Sequence, residues 1–146
     1  MTTQMVNDMM SAYSEDAVDF ANLKFGMTLD FSSESIEKVE QIADTLYQAR
    51  PRGFLARIFR RGPSDADVEQ ICKMLGGYIG EVFRRNKGGD WAIHPDFNAL
   101  GVQRDQAWIF PPSKVHKRLA NGPEDNLWSY FRVVLDEPWE SSASDS

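Results

Sequence analysis

The chain has 146 residues, 42% hydrophobic and 26% charged, with four tryptophans, four tyrosines and nine phenylalanines. A domain of this size buries about 70% of the surface its unfolded chain exposes, so no metal or disulfide staple is required, and the aromatic content argues against disorder; the single cysteine, Cys72, rules out an intrachain disulfide. The net charge of −6 argues against duplex nucleic acid, which calls for a basic face, and favours basic partners.

Residues 1–20 read as a flexible N-terminal arm. Met5, Met9 and Tyr13 share one side of a helical turn or two, but capping is weak and terminal segments fray. Residues 21–140 then make a single domain, and residues 141–146 (SSASDS) a disordered tail. Met27, Leu29 and Phe31 alternate with Thr28 and Asp30, the period of a short strand. Ser32 or Ser33 offers an N-cap, and Glu34 and Glu37 suit the positive end of a helix dipole. Ile36, Val39, Ile42, Ala43 and Leu46 form the buried stripe of a helix that runs to about Ala49 and is closed by Pro51. Residues 50–61 (RPRGFLARIFRR) hold five arginines and no acid. Their alternation with Phe54, Leu55, Ile58 and Phe59 suits a connecting segment packed on the core, with contact to a membrane surface or nucleic acid as the functional alternative.

Gly62-Pro63 breaks the chain, and Ser64 with Asp67 resembles a capping box. Val68, Ile71, Cys72, Leu75, Ile79, Val82 and Phe83 then fall on one face, which predicts a central buried helix ending near Asn86, with Gly88-Gly89 as its stop. Gly76 and Gly80 lie on one flank of that stripe. Each costs about 1 kcal/mol of helix propensity relative to alanine, so another helix or strand is expected to come close there. Gly77 lies nearly opposite the stripe. Glu81 sits a turn further on, with Arg84 and Arg85 at the i+3 and i+4 positions that allow pairing. These charges fit a solvated face or, alternatively, a groove at Gly77 that takes a ligand or partner.

Strand-like patterns follow at Trp91–Ile93, Asn98–Val102 and Gln106–Phe110. Pro111-Pro112 stops the last, Ser113 caps a short helix with Val115 and Leu119, and Asn121-Gly122-Pro123 turns the chain. Leu127, Tyr130, Phe131 and Val134 mark a final amphipathic helix. The expected fold is a single α+β domain: a small antiparallel sheet from the Phe31, Trp91 and Trp108 regions, packed against helices at 34–49 and 66–86.

Few residues promise chemistry. His94 and His116 lie outside any metal-ligand spacing, and no phosphate-cradling or nucleophile-elbow motif occurs. No cofactor or metal is expected. A Cys72–histidine dyad is outweighed by the position of Cys72 on the apolar stripe, where cysteine behaves as a small hydrophobe. The basic tract SKVHKR (113–118) reads as a solvated edge. With no apolar run near the ~20 residues of a membrane span and no secretory leader pattern, the chain reads as cytoplasmic.

The stretches LDFSSESI (29–36), LGGYIGEVFRRNKGGDW (75–91) and FPPSKVHKRLANGPEDNL (110–127) together resemble a group of small bacterial proteins of unassigned function. The resemblance spans about residues 29–131 and rests on Gly77, Gly80, Glu81, Gly89, Trp91, Pro111, Lys117 and Arg118; none brings a role with it. It implies an immunity or accessory protein of the kind found beside secreted toxins. The leading expectation is therefore a non-enzymatic protein-binding module, an immunity-type inhibitor of a basic partner, with candidate binding residues Gly77, Glu81, Arg84, Arg85, Trp91, Lys117 and Arg118. The alternative is a small-ligand or enzymatic site around Gly77, Glu81, Arg84 and Trp91.

Overall fold

The computed structural model describes residues 2–49 and 65–136. The arginine-rich segment at 50–61, the Ser64 cap and the tail at 141–146 lie outside them. The described residues form one α+β domain of five α-helices and a three-stranded antiparallel sheet.

Helix α1 (Thr3–Phe25) replaces the expected N-terminal arm. The Thr2 hydroxyl accepts the Met5 N–H at 3.1 Å, and Val6, Met10, Ala17 and Ala21 are buried. The sequence signal is weak because the buried face is built from small residues, including Ser14. Small side chains give little amphipathic contrast but allow a close helix–helix approach. Asn7 fastens the helix to the sheet: its amide oxygen accepts the Trp91 N–H at 2.8 Å, and its amide nitrogen donates to Asp90 at 3.0 Å.

Residues 27–31 are not a strand. The alternation is real, since Leu29 is buried and Met27 and Phe31 are half-buried between exposed neighbours. Phe31, however, takes a left-handed backbone (φ 62°), which costs on the order of 1–2 kcal/mol for a residue with a side chain. Its N–H, which a sheet would use, donates instead to the Tyr78 hydroxyl at 2.7 Å. That kink turns the chain into α2 (Ser35–Gln48), where Ser32 Oγ accepts the Ser35 N–H at 3.2 Å. The stripe Ile36, Val39, Ile42, Ala43 and Leu46 is buried as its spacing predicts.

Helix α3 (Asp65–Lys87) runs unbroken through its glycines and is the hub of the domain. Ile71, Cys72, Leu75, Ile79, Val82 and Phe83 are all buried. So are Gly76, Gly77, Tyr78, Gly80 and Glu81, so the middle of the helix is enclosed on every side. The helix stops at Gly88 and Gly89, both at positive φ.

The sheet has the order β1 (Asp90–Ile93), β2 (Leu100–Arg104), β3 (Ala107–Ile109). Trp91 pairs with Val102, and Val102 with Ile109. The expected strand regions around Trp91 and Trp108 thus hold, while the Phe31 region contributes none. Pro111 and Pro112 end the third strand and also begin α4 (Pro111–Asn121), where a missing N–H costs nothing and φ is already helical. A short 3-10 turn (Pro123–Asp125) leads to α5 (Leu127–Asp136), which buries Leu127, Phe131 and Leu135.

Candidate functional site

The three mid-helix glycines each admit a different neighbour. A Cβ on Gly76 would sit 2.5 Å from the Pro112 backbone at the start of α4, and one on Gly80 would overlap the Trp91 ring. A Cβ on Gly77 would lie 3.2 Å from Met10 and Tyr13 of α1. The space expected at Gly77 is therefore filled by α1.

Glu81 is only 4% exposed, so its carboxylate is not on a solvated face. Its Oε2 accepts the Trp91 indole N–H at 2.9 Å and the Arg84 guanidinium at 2.7 Å. Arg84 also donates from Nε to the Gly89 carbonyl at 3.2 Å, tying the end of α3 to the strand that carries Trp91. Glu81, Arg84 and Trp91 are brought together as the sequence grouping anticipates, but around a closed hydrogen-bond network. Arg85 points elsewhere, its guanidinium 3.5 Å over the Phe31 ring. Beneath that ring, Ser35 Oγ spends its hydrogen on the Ser32 carbonyl at 2.6 Å. The Tyr78 hydroxyl must therefore donate to Ser35 Oγ, 2.6 Å away, which fits a phenol whose pKa burial raises.

The Lys117-Arg118 pair is split. Arg118 is 1% exposed and lies in an ion cluster with α2: Nε and Nη2 bond Glu40 at 2.8–3.1 Å, and Nη2 bonds Asp44 at 2.6 Å. Glu40 also accepts the Leu127 N–H at 2.9 Å, so one carboxylate joins α2, α4 and the first turn of α5. Burial works against the guanidinium charge, but Glu40 and Asp44 outweigh it and raise the Arg118 pKa. Arg118 Nη1 has no hydrogen-bond partner among the described residues; the Tyr47 ring lies 5.6 Å from the guanidinium carbon.

Lys117 faces outward onto a groove of about 470 Å³ between the 94–99 hairpin loop, α4 and α5. Its floor is aromatic: Phe97, Phe110, Tyr130 and Phe131; Ser113, Lys114 and Lys117 form its rim. Phe97 is 68% exposed. A cluster of rings supports it from the sheet. His94 stacks on Phe97 at 4.4 Å and meets Trp108 edge-on at 4.8 Å, and Trp108 lies parallel to Phe110 at 5.6 Å. The imidazole is held in place because its Nδ1 accepts the N–H groups of Asp96 and Phe97 at 3.1 and 3.4 Å, which leaves the proton of the neutral ring on Nε2. The Lys114 ammonium bonds Asp125 at 3.0 Å and lies 4.9 Å from the Tyr130 ring centroid. Asn121 bonds the other oxygen of Asp125 at 2.9 Å; together Asn121 and Lys114 hold that carboxyl below its ordinary range.

No single stretch of the sequence announces this groove, but the residues of β3 carry a signal for it. Along β3 and the residue after it, the inward phase carries Ala107 and Ile109 while the outward phase carries Trp108 and Phe110. Aromatics on the outward phase of a strand mark a covered or binding face, because a solvent face favours polar residues.

A second depression of about 600 Å³ shares Ser113 with the groove and is lined by Cys72, Lys73, Leu100 and His116 among others. Cys72 is 5% exposed. Burial first, and the Glu69 carboxylate second, push its thiol up to about 12, so it stays protonated at neutral pH, whereas a nucleophilic cysteine needs the opposite shift. Among the described residues, no group of three His, Cys, Asp or Glu side chains could hold a metal ion. No helix among them is long and apolar enough to cross a membrane.

No protein-family model, curated protein or solved structure matches this chain.

Proposed function

We propose that the chain is a non-enzymatic protein-binding module that seats a partner on the aromatic groove beside α4, with immunity-type inhibition in the cytoplasm as the biological form of that binding. The observation that carries this reading is the exposure of Phe97 and Tyr130 across one groove, backed by a preorganised stack of rings. Large exposed aromatics held rigid are the usual anchors of protein interfaces, since they bury area at little entropic cost. Ile93 and Val133, also exposed, extend apolar surface along β1 and α5.

The basic partner suggested by the net charge of −6 finds its complement on a different element. Asp8, Glu15 and Asp19 are exposed on α1, and their spacing places them in a row along one side of the helix.

The test is co-purification with proteins encoded beside this chain, comparing wild type with a Phe97→Ala/Tyr130→Ala variant. The expected result is a partner retained by wild type and lost by the variant, while both keep the same circular dichroism. A partner held equally by both, or turnover of a small molecule by the purified chain, removes the proposal.

A further inference from the structure

We infer that the segment entering the groove is acidic and carries an aromatic or large aliphatic side chain. This rests on the protein-binding reading above and adds the chemistry of what binds. In a chain of net charge −6, both charged side chains among the described residues of the groove's rim are lysines. Lys114 is already engaged by Asp125. Lys117 is exposed and, although its charge is felt by Asp125, it makes no direct ion pair with a described residue. A carboxylate arriving at the rim meets that ammonium beside aromatic rings that thin the intervening water, which strengthens the attraction; an arriving lysine or arginine meets like charge. The floor, Phe97, Phe110 and Tyr130, takes the apolar side chain. The second depression, which shares Ser113 with the groove, offers Leu100 and Pro112 as further apolar lining.

Single-stranded nucleic acid also stacks on exposed rings, but following its backbone takes a run of cations. Two lysines beside Glu124 and Asp125 do not supply one, and an acidic peptide needs only a single charge contact next to its anchor.

The test is selection of a random-peptide library on the full chain, with counter-selection on Phe97→Ala/Tyr130→Ala. Individual peptides are then titrated against wild type and Lys117→Glu. The expected winners combine Asp or Glu with Phe, Trp, Tyr or Leu. Lys117→Glu weakens them about tenfold or more, as reversal of a rim charge beside a desolvated contact does, and added salt weakens them in wild type. Neutral or basic winners, or winners indifferent to Lys117→Glu, overturn the inference and leave the protein-binding reading standing. If no winner depends on Phe97 and Tyr130, both fall. An oligothymidylate that binds the groove more tightly than the selected peptides, and is lost in the aromatic variant, overturns the inference in favour of nucleic acid. Matching circular dichroism of all variants separates lost binding from lost fold.

Discussion

The interior around α3 and the groove beside α4 are built from the same residue types used in opposite ways. In the interior, Trp91 is sealed against Gly80 and its indole N–H ends on Glu81. Glu81 and Arg118 are charged, yet each is buried against an oppositely charged, hydrogen-bonded partner, with Arg118 Nη1 the one buried side-chain atom of the two left without a hydrogen bond among the described residues. At the groove, Phe97 and Tyr130 stay largely exposed although other groups support their rings, and Lys117 has no direct ion-pair partner among the described residues. The oddest sequence features, glycines inside a helix and a Glu beside two arginines, belong to the interior. What is left unsatisfied on the surface belongs to the groove. Unusual residues mark tight packing; unfinished contacts mark where something else binds.

The difference can be pressed with substitutions. The largest effect is expected from Trp91→Ala, which empties the space that Gly80 was shaped to admit and strands the Glu81 network. Urea unfolding should show a loss of about 3–5 kcal/mol, the usual range for a large buried aromatic. Alkaline pH comes next. The Cys72 thiol rises from 9.0 to about 12 on folding. Between those values the unfolded chain gives up its proton and the folded one keeps it, so stability falls as pH rises through that window, by on the order of a few kcal/mol. Cys72→Ala should flatten that slope, although Tyr78, also raised by burial, will keep part of it. Among the glycines, Gly76→Ala is expected to cost about 1–3 kcal/mol, because the new methyl meets the fixed Pro112 backbone. Gly77→Ala should cost less than Gly76→Ala, about 1 kcal/mol, because Met10 Cε, Tyr13 Cβ and the Met10 carbonyl at 3.2–3.3 Å require α1 to give by only a few tenths of an ångström and alanine recovers part of that in helix propensity. Equal losses at the two positions would undo the account of separate neighbours. Smallest of all is Phe97→Ala, expected to stay within about 0.5 kcal/mol as a surface change; a larger loss would make Phe97 part of the core and not of a binding face.

Much of the framework was legible in the residues. The stripes of α2 and α3 were readable because each is a long amphipathic run, and the strands around Trp91 and Trp108 because their period changes sharply after Gly88-Gly89. The glycine flank correctly signalled close approach. Helix α1 was not legible as a docked element, because its seat is Gly77, far along the chain, and Ala17 and Ala21 announce little by themselves. The Phe31 region failed as a strand because local alternation says nothing about Tyr78 claiming its N–H. The same limit governs the charges. The Glu81–Arg84 pair is visible as an i,i+3 spacing, but its burial depends on Trp91. The Glu40–Arg118 contact joins residues 78 apart and leaves no local trace, so Arg118 reads like its neighbour Lys117. The groove is illegible for a related reason: its rings come from the 94–99 loop, the junction of β3 and α4, and α5, and no single stretch contains them.

Those two adjacent cations provide the most direct measurement of the division between closed interior and open groove: equilibrium urea unfolding of Arg118→Ala beside Lys117→Ala. Removing Arg118 leaves Glu40 buried without its counter-ion and should cost about 3–5 kcal/mol, whereas removing Lys117 should change stability by no more than about 0.5 kcal/mol. Comparable losses for the two variants, whether both small or both large, would contradict the account.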